Sequence, residues 1–167
     1  MLIERSFSQK LLMILAATAV FMDYLDTSIV SIALPAIAES FGSGSAMSSW
    51  VMTSYLLALG STLLLFGKLA DRTGLQRVIF TAGFVFFTVA SFLCGIATDV
   101  PSLIGFLVFQ GVAAAMMVAT ATMLITLHLQ KNLKPIGMGV IATAGCAALA
   151  LGPSIGGILT QFISWHW

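Results

Sequence analysis

The chain has 167 residues, of which 8% are charged and 59% hydrophobic, with a net charge of +1. An average soluble domain carries roughly 25% charged residues, so these few charges could not cover a water-soluble globule. A near-zero balance also gives no basis for nucleic-acid binding. What carries information is where the charges lie.

The run from Leu11 to Ala38 holds only two charges, Asp23 and Asp26. It exceeds the roughly 20 residues needed to cross a bilayer. It is also too long for a signal-peptide core of about 7–15 residues, so it reads as a retained span with Pro35 near its far end. Glu39 to Ser48, rich in Gly and Ser, reads as a loop. Further apolar runs predict helices over 49–68, 78–97, 102–127 and 136–162, giving one all-α membrane domain over 1–167. Trp50 and Tyr55 sit near the start of the second helix, where an aromatic belt would lie. Asp99-Val100-Pro101 reads as a turn, and His128 to Pro135 as the next polar break.

All seven Lys and Arg residues then fall on one side. Arg5 and Lys10 precede the first helix, Lys68, Arg72 and Arg77 follow the second, and Lys131 and Lys134 follow the fourth. The opposite side has Glu39 and Asp99 only. The positive-inside rule makes the basic side, with the N-terminus, cytoplasmic in a multi-pass protein of the plasma or inner membrane. Cys94 and Cys146 lie inside apolar runs and read as buried small hydrophobes rather than a disulfide framework. His128 and His166 lie in predicted loops on opposite sides without a ligand-spaced partner, so no metal site is expected. No phosphate loop, catalytic triad or Cys-x-x-Cys is present, which argues against an enzyme.

The sharpest functional signal is the pair Asp23 and Asp26. Three residues apart, they share one side of a helix with about 4.5 Å of rise between them, and they straddle the middle of the span. An aspartate at the bilayer centre costs about 2.5–3.5 kcal/mol on insertion scales. It is retained by default for function, facing a cavity or a partner. Such an acid can hold a proton or a cation in turn, which is the simplest coupling for antiport.

Between helices two and three stands Gly67-Lys68-Leu69-Ala70-Asp71-Arg72-Thr73-Gly74-Leu75-Gln76-Arg77. Gly67 and Gly74 supply freedom for a reversal, and Asp71 could cap the next helix or pair with a cation. A solvated hairpin explains the cations but not the Gly-x-x-x-Asp-Arg-x-Gly order. That order resembles the signature loop of the major facilitator superfamily of transporters, departing at Leu75, where the family usually has a basic residue. Leu25 to Pro35, reading L-D-T-S-I-V-S-I-A-L-P, resembles the first-helix signature of the drug:proton antiporters with fourteen spans (EmrB/QacA-like). Asp26 matches that branch's acid, and Asp23 is an extra one.

Helix four, with Leu107, Gln110 and Gly111, is similar to the antiporter signature but has Leu107 where the family has arginine. Gly111, Ala115 and Ala119 also suffice as a close-packing face. In helix five, Ala144, Ala148, Gly152 and Gly156 form a ladder of small residues. Gly152, Pro153, Gly156 and Gly157, with Gly139, resemble the fifth-helix antiporter signature. Tight packing and a bend at Pro153 are compatible readings.

The resemblance implies an incomplete N-terminal major facilitator bundle that works with helices absent from this chain. It also implies efflux of amphipathic or cationic small molecules, driven by a proton gradient without a cofactor. The rivals are a carrier of the same fold for another solute and a truncated, non-transporting membrane fragment.

Overall fold

In the computed structural model, backbone is described for residues 2–41 and 45–162, and side chains for 9–41 and 49–160. The chain forms α1 (Leu2–Ser40), α2 (Ser45–Thr73), α3 (Gln76–Gly95), α4 (Val100–His128) and α5 (Lys134–Phe162). All five contain a stretch long and apolar enough to cross a membrane. This is the all-helical architecture that the apolar runs predict. Large apolar side chains such as Leu57, Leu64, Phe92 and Ile158 face outward, as the lipid-facing side of a bundle requires.

α1, α2, α4 and α5 are longer than hydropathy implies, because each continues past its apolar core into polar sequence, while α3 keeps its expected length shifted two residues towards the N-terminus. The predicted loop from Gly67 to Arg77 is mostly helix. Gly67 lies well inside α2, Asp71 and Arg72 lie in its last turn, and Arg77 opens α3. Only Gly74 and Leu75 remain between the two helices, and Gly74, at φ +68°, alone makes the reversal. An L-side chain rarely adopts that conformation. Gln76 closes the turn by donating from Nε2 to the Ala70 carbonyl at 3.0 Å. Leu75, not Asp71, is the N-cap residue of α3, and no side chain caps it. Arg72 is favourably placed at the negative end of the α2 dipole, yet no ion pair joins it to Asp71 among the described residues.

Asp99-Val100-Pro101 is likewise not a turn but a helix start. Asp99 is the N-cap of α4, accepting from the Ser102 amide at 2.7 Å, and Ser102 completes a capping box. Proline is tolerated in a first turn, where its missing N–H would have no partner. The bonds from the Ser102 side chain and backbone hold the Asp99 carboxyl below its usual range. His128 belongs to α4 rather than a loop. The segment 42–44 and His166 lie outside the described residues.

α4 is the most enclosed helix, packed along α2 and α3 and crossing α1, while α5 packs along α1. Exchanging α1 with α4 and α2 with α5 turns the α2–α4 contact into the α5–α1 contact. Close approach rests on small residues. A Cβ on Gly111 would lie 2.6 Å from the Tyr55 carbonyl oxygen of α2, and one on Gly83 would lie 2.8 Å from Met116 of α4. Along α5, Ala148 is fully buried, Gly152 abuts Ser28, and Gly156 lies against the Ile29 backbone. Two matched glycines depart from the packing expectation, since Gly139 and Gly157 have nothing within 4 Å of a built Cβ. Gly137 and Gly145 make contacts instead, against Ile125 and Leu129 and against the Tyr24 ring. α5 runs unbroken through Pro153.

A cavity of about 540 Å³ gathers Gln9, Arg77, Phe80 and His128. The basic ends of α1, α3 and α4 therefore share one end of the bundle, as the charge count requires.

Candidate functional site

The two aspartates of α1 have different hydrogen-bond partners. Asp23 is 6% exposed and accepts a hydrogen bond from the Tyr55 hydroxyl of α2. Tyr55 is 1% exposed, so its place is inside the bundle rather than in an interfacial aromatic belt. Trp50, one turn earlier and exposed, suits the belt. Sequence reasoning missed Tyr55 because an aromatic near a helix start looks interfacial. The available signal was depth: Asp23 needs a donor within the membrane, and no cation lies in any apolar run.

Tyr55 is brought to Asp23 by Gly111. With no side chain there, the α2 backbone at Tyr55 comes against α4, which sets how far α2 stands from α1. Tyr55→Phe should therefore cost about 1–2 kcal/mol, the scale of a hydrogen bond between helices in a membrane. The SDS fraction at mid-unfolding should fall for this variant and not for Tyr24→Phe, whose ring is exposed.

Asp26, on the same side of α1, is only partly buried. It lines a cavity of about 310 Å³ between α1, α3 and α4, together with Leu107, Gln110 and Cys94. Leu107 is buried, at 2% exposed. The position that matches the family's arginine thus presents an apolar wall to the acid. Gln110 is 1% exposed and accepts from the Cys94 thiol at 3.6 Å through Oε1. Its amide is also the side-chain hydrogen-bonding neighbour of the Asp26 carboxyl. The arrangement is an acid midway along the apolar span of α1 beside a neutral amide, in a pocket whose remaining walls are mostly apolar. Among the described residues, no three His, Cys, Asp or Glu side chains are placed to hold a metal ion.

Apart from Gly139, Pro153 and Gly157, the other matched residues fall into two groups. Gly111, Gly152 and Gly156 are packing positions around this site. Gly67, Asp71, Arg72, Gly74 and Arg77 lie at the far end of α2 and the start of α3, separate from the acids.

The Major Facilitator Superfamily model matches residues 16–167. The chain belongs to this superfamily. Its members are transporters rather than enzymes, which agrees with the absence of any catalytic pattern in the sequence. Over 155 residues the chain is 36% identical to the riboflavin transporter RibZ of Clostridioides difficile, covering 93% of this chain and 34% of that protein. Over 167 residues it is 36% identical to the putative multidrug resistance protein MdtD of Serratia proteamaculans, covering 100% of this chain and 35% of that one. The MdtD protein of Klebsiella pneumoniae subsp. pneumoniae is 35% identical over 153 residues, 92% of this chain and 32% of that one. The chain thus spans about a third of the length of the curated relatives it matches.

Proposed function

We propose that this major facilitator chain takes part in proton-coupled efflux of amphipathic or cationic compounds, with Asp26 as the group that carries proton and cation in turn. The observation that carries this reading is the position of Asp26, at mid-span on α1 and open to a cavity. An acid so placed is retained at a cost of about 2.5–3.5 kcal/mol, and coupling is the function that repays it. Asp23, held by Tyr55, serves as a structural neighbour. The match of Leu25 to Pro35 supports the drug:proton antiporter branch, and the MdtD relatives carry the multidrug name. The energy source is the proton gradient, with no cofactor. The partners are the lipid bilayer, the small-molecule substrate and further transporter helices.

The test is accumulation of ethidium in inverted vesicles under an imposed pH gradient. Uptake that collapses with a protonophore supports the reading; uptake indifferent to the gradient would overturn it. A carrier for another solute is the second reading, favoured by Leu107 in place of arginine and by the riboflavin-transporter relative. Gradient-independent riboflavin movement would select it.

The α2–α3 turn is assigned to the cytoplasmic gate, with Asp71 as its anionic contact and Gly74 as its hinge. Arg72 and Arg77 flank them, and Gly67 lies one helical stretch earlier in α2. This requires the N-terminus and that turn to be cytoplasmic in the cell membrane. Thr73→Cys should then resist an impermeant maleimide in intact cells, whereas Thr98→Cys, exposed beside the start of α4, should react. The opposite pattern would invert the topology.

A further inference from the structure

At the basic end of the bundle, the cavity of about 540 Å³ between α1, α3 and α4 has a polar mouth and an apolar floor. Along each helix a polar residue marks the basic end and apolar ones lie deeper. Gln9 precedes Leu12 and Leu15 on α1, Arg77 precedes Phe80 on α3, and Leu124 precedes His128 on α4. At 1.5 Å of rise per residue, mouth and floor are about 5–9 Å apart. The mouth suits an anion. Among the described residues no Asp or Glu lines it, and Arg77 is exposed and makes no ion pair. Gln9 is 9% exposed, and its amide makes no hydrogen bond among the described residues, so it calls for a partner inside the cavity. His128 adds a ring N–H. Lys10 and Lys131 adjoin the lining residues Gln9 and Gln130 in sequence.

Arg77 and Thr81 also line a second, open groove on the outer side of α3, which continues over the exposed Val78, Val85 and Phe86. Arg77 therefore stands where two apolar tracks meet, one between the helices and one on the surface of α3. A soluble anion would occupy the mouth and leave both tracks empty. We propose that this end of the bundle binds one anionic phospholipid, drawn from the leaflet on the basic side. Arg77, Gln9 and His128 donate to its phosphate. One acyl chain enters between Leu12, Leu15 and Phe80, and the other lies along Val78, Val85 and Phe86. Basic pockets between spans take such headgroups, and the cavity lies within the roughly 300–1,000 Å³ usual for ligand sites. Neither aspartate of α1 lines it, and its ligand is bilayer lipid rather than cargo, so it goes beyond the efflux reading.

Native mass spectrometry of the chain in detergent micelles reads retention of added dioleoyl phosphatidylglycerol against dioleoyl phosphatidylcholine. The anionic lipid should bind about fivefold more tightly. Arg77→Gln should remove that preference. Lys134→Gln, which deletes the same charge at a residue lining neither groove, should keep it. A large excess of glycerol 3-phosphate should leave the lipid in place, because it cannot fill the apolar tracks. Equal retention of the two lipids by the unmodified chain would overturn the proposal without any variant. Equal loss in the two variants would reduce the effect to general surface charge and overturn it too. Displacement by glycerol 3-phosphate would assign the mouth to a soluble phosphate, and a lipid-free dimer would assign the cavity to a second copy; either result sinks the proposal. None of these readouts uses ethidium or a proton gradient, so failure here leaves the efflux reading standing, and the converse holds.

Discussion

In a full-length transporter that carries this segment, Asp26→Asn is expected to abolish gradient-driven ethidium transport in inverted vesicles, while Asp23→Asn leaves a measurable rate. The substitution keeps the size of the side chain and fixes it neutral, so insertion and packing should survive while proton exchange stops. Two observations separate the acids. Asp26 opens onto the cavity between α1, α3 and α4, where a ligand or water can reach it. Asp23 is committed to the Tyr55 hydroxyl, a bond that an asparagine side-chain oxygen can still accept. Membrane levels of each variant, read by immunoblot, guard against a folding artefact. Full transport by the Asp26→Asn protein would remove Asp26 from the coupling. Loss in Asp23→Asn alone would move the coupling to the buried acid and make Tyr55 its regulator.

The second large effect is on stability, at the glycines that bring helices together. Gly111→Ala should destabilise the bundle by about 1–3 kcal/mol, the range for overpacking a well-filled interior. Its new methyl would meet the Tyr55 carbonyl oxygen at 2.6 Å, Ala58 at 3.1 Å and the Leu59 amide at 3.2 Å. Two of those are backbone atoms, which cannot swing away, so α2 must move and take Tyr55 from Asp23. Gly152→Ala should also destabilise, because the methyl would meet Ser28, itself buried in α1. Gly60→Ala is the control, with nothing within 4 Å. There the gain in helix preference, about 0.5–1 kcal/mol, should appear unopposed. SDS titration of the three purified variants would check the order. A Gly111→Ala protein as stable as the Gly60→Ala one would show that α2 and α4 are not in close contact at Tyr55.

Five spans, their order and the one-sided placement of Lys and Arg were legible in the sequence. All three depend on transfer between water and lipid, which acts on each residue largely by itself. Asp26 was legible for the same reason: an acid in a long apolar run stands out whatever surrounds it. Helix ends were less so, because hydropathy marks where the apolar core stops and hydrogen bonding decides where the helix stops. Gly67 to Arg77 therefore looked like a loop, although the helices close to within two residues around Gly74. Asp99 looked like part of a turn, although its side chain begins α4.

Only the tertiary structure decided how the two aspartates differ. Spacing along α1 puts them on one side of the helix, and that is all a single helix can specify. Their partners come from chains of residues far away in sequence: Tyr55, positioned by the missing side chain of Gly111, and Gln110, held by Cys94. It likewise decided which glycines matter. Gly139 and Gly156 both match the fifth-helix signature, but α1 lies against Gly156 and nothing lies against Gly139. A small residue permits close approach, and only the docking of a second helix determines whether that space is used.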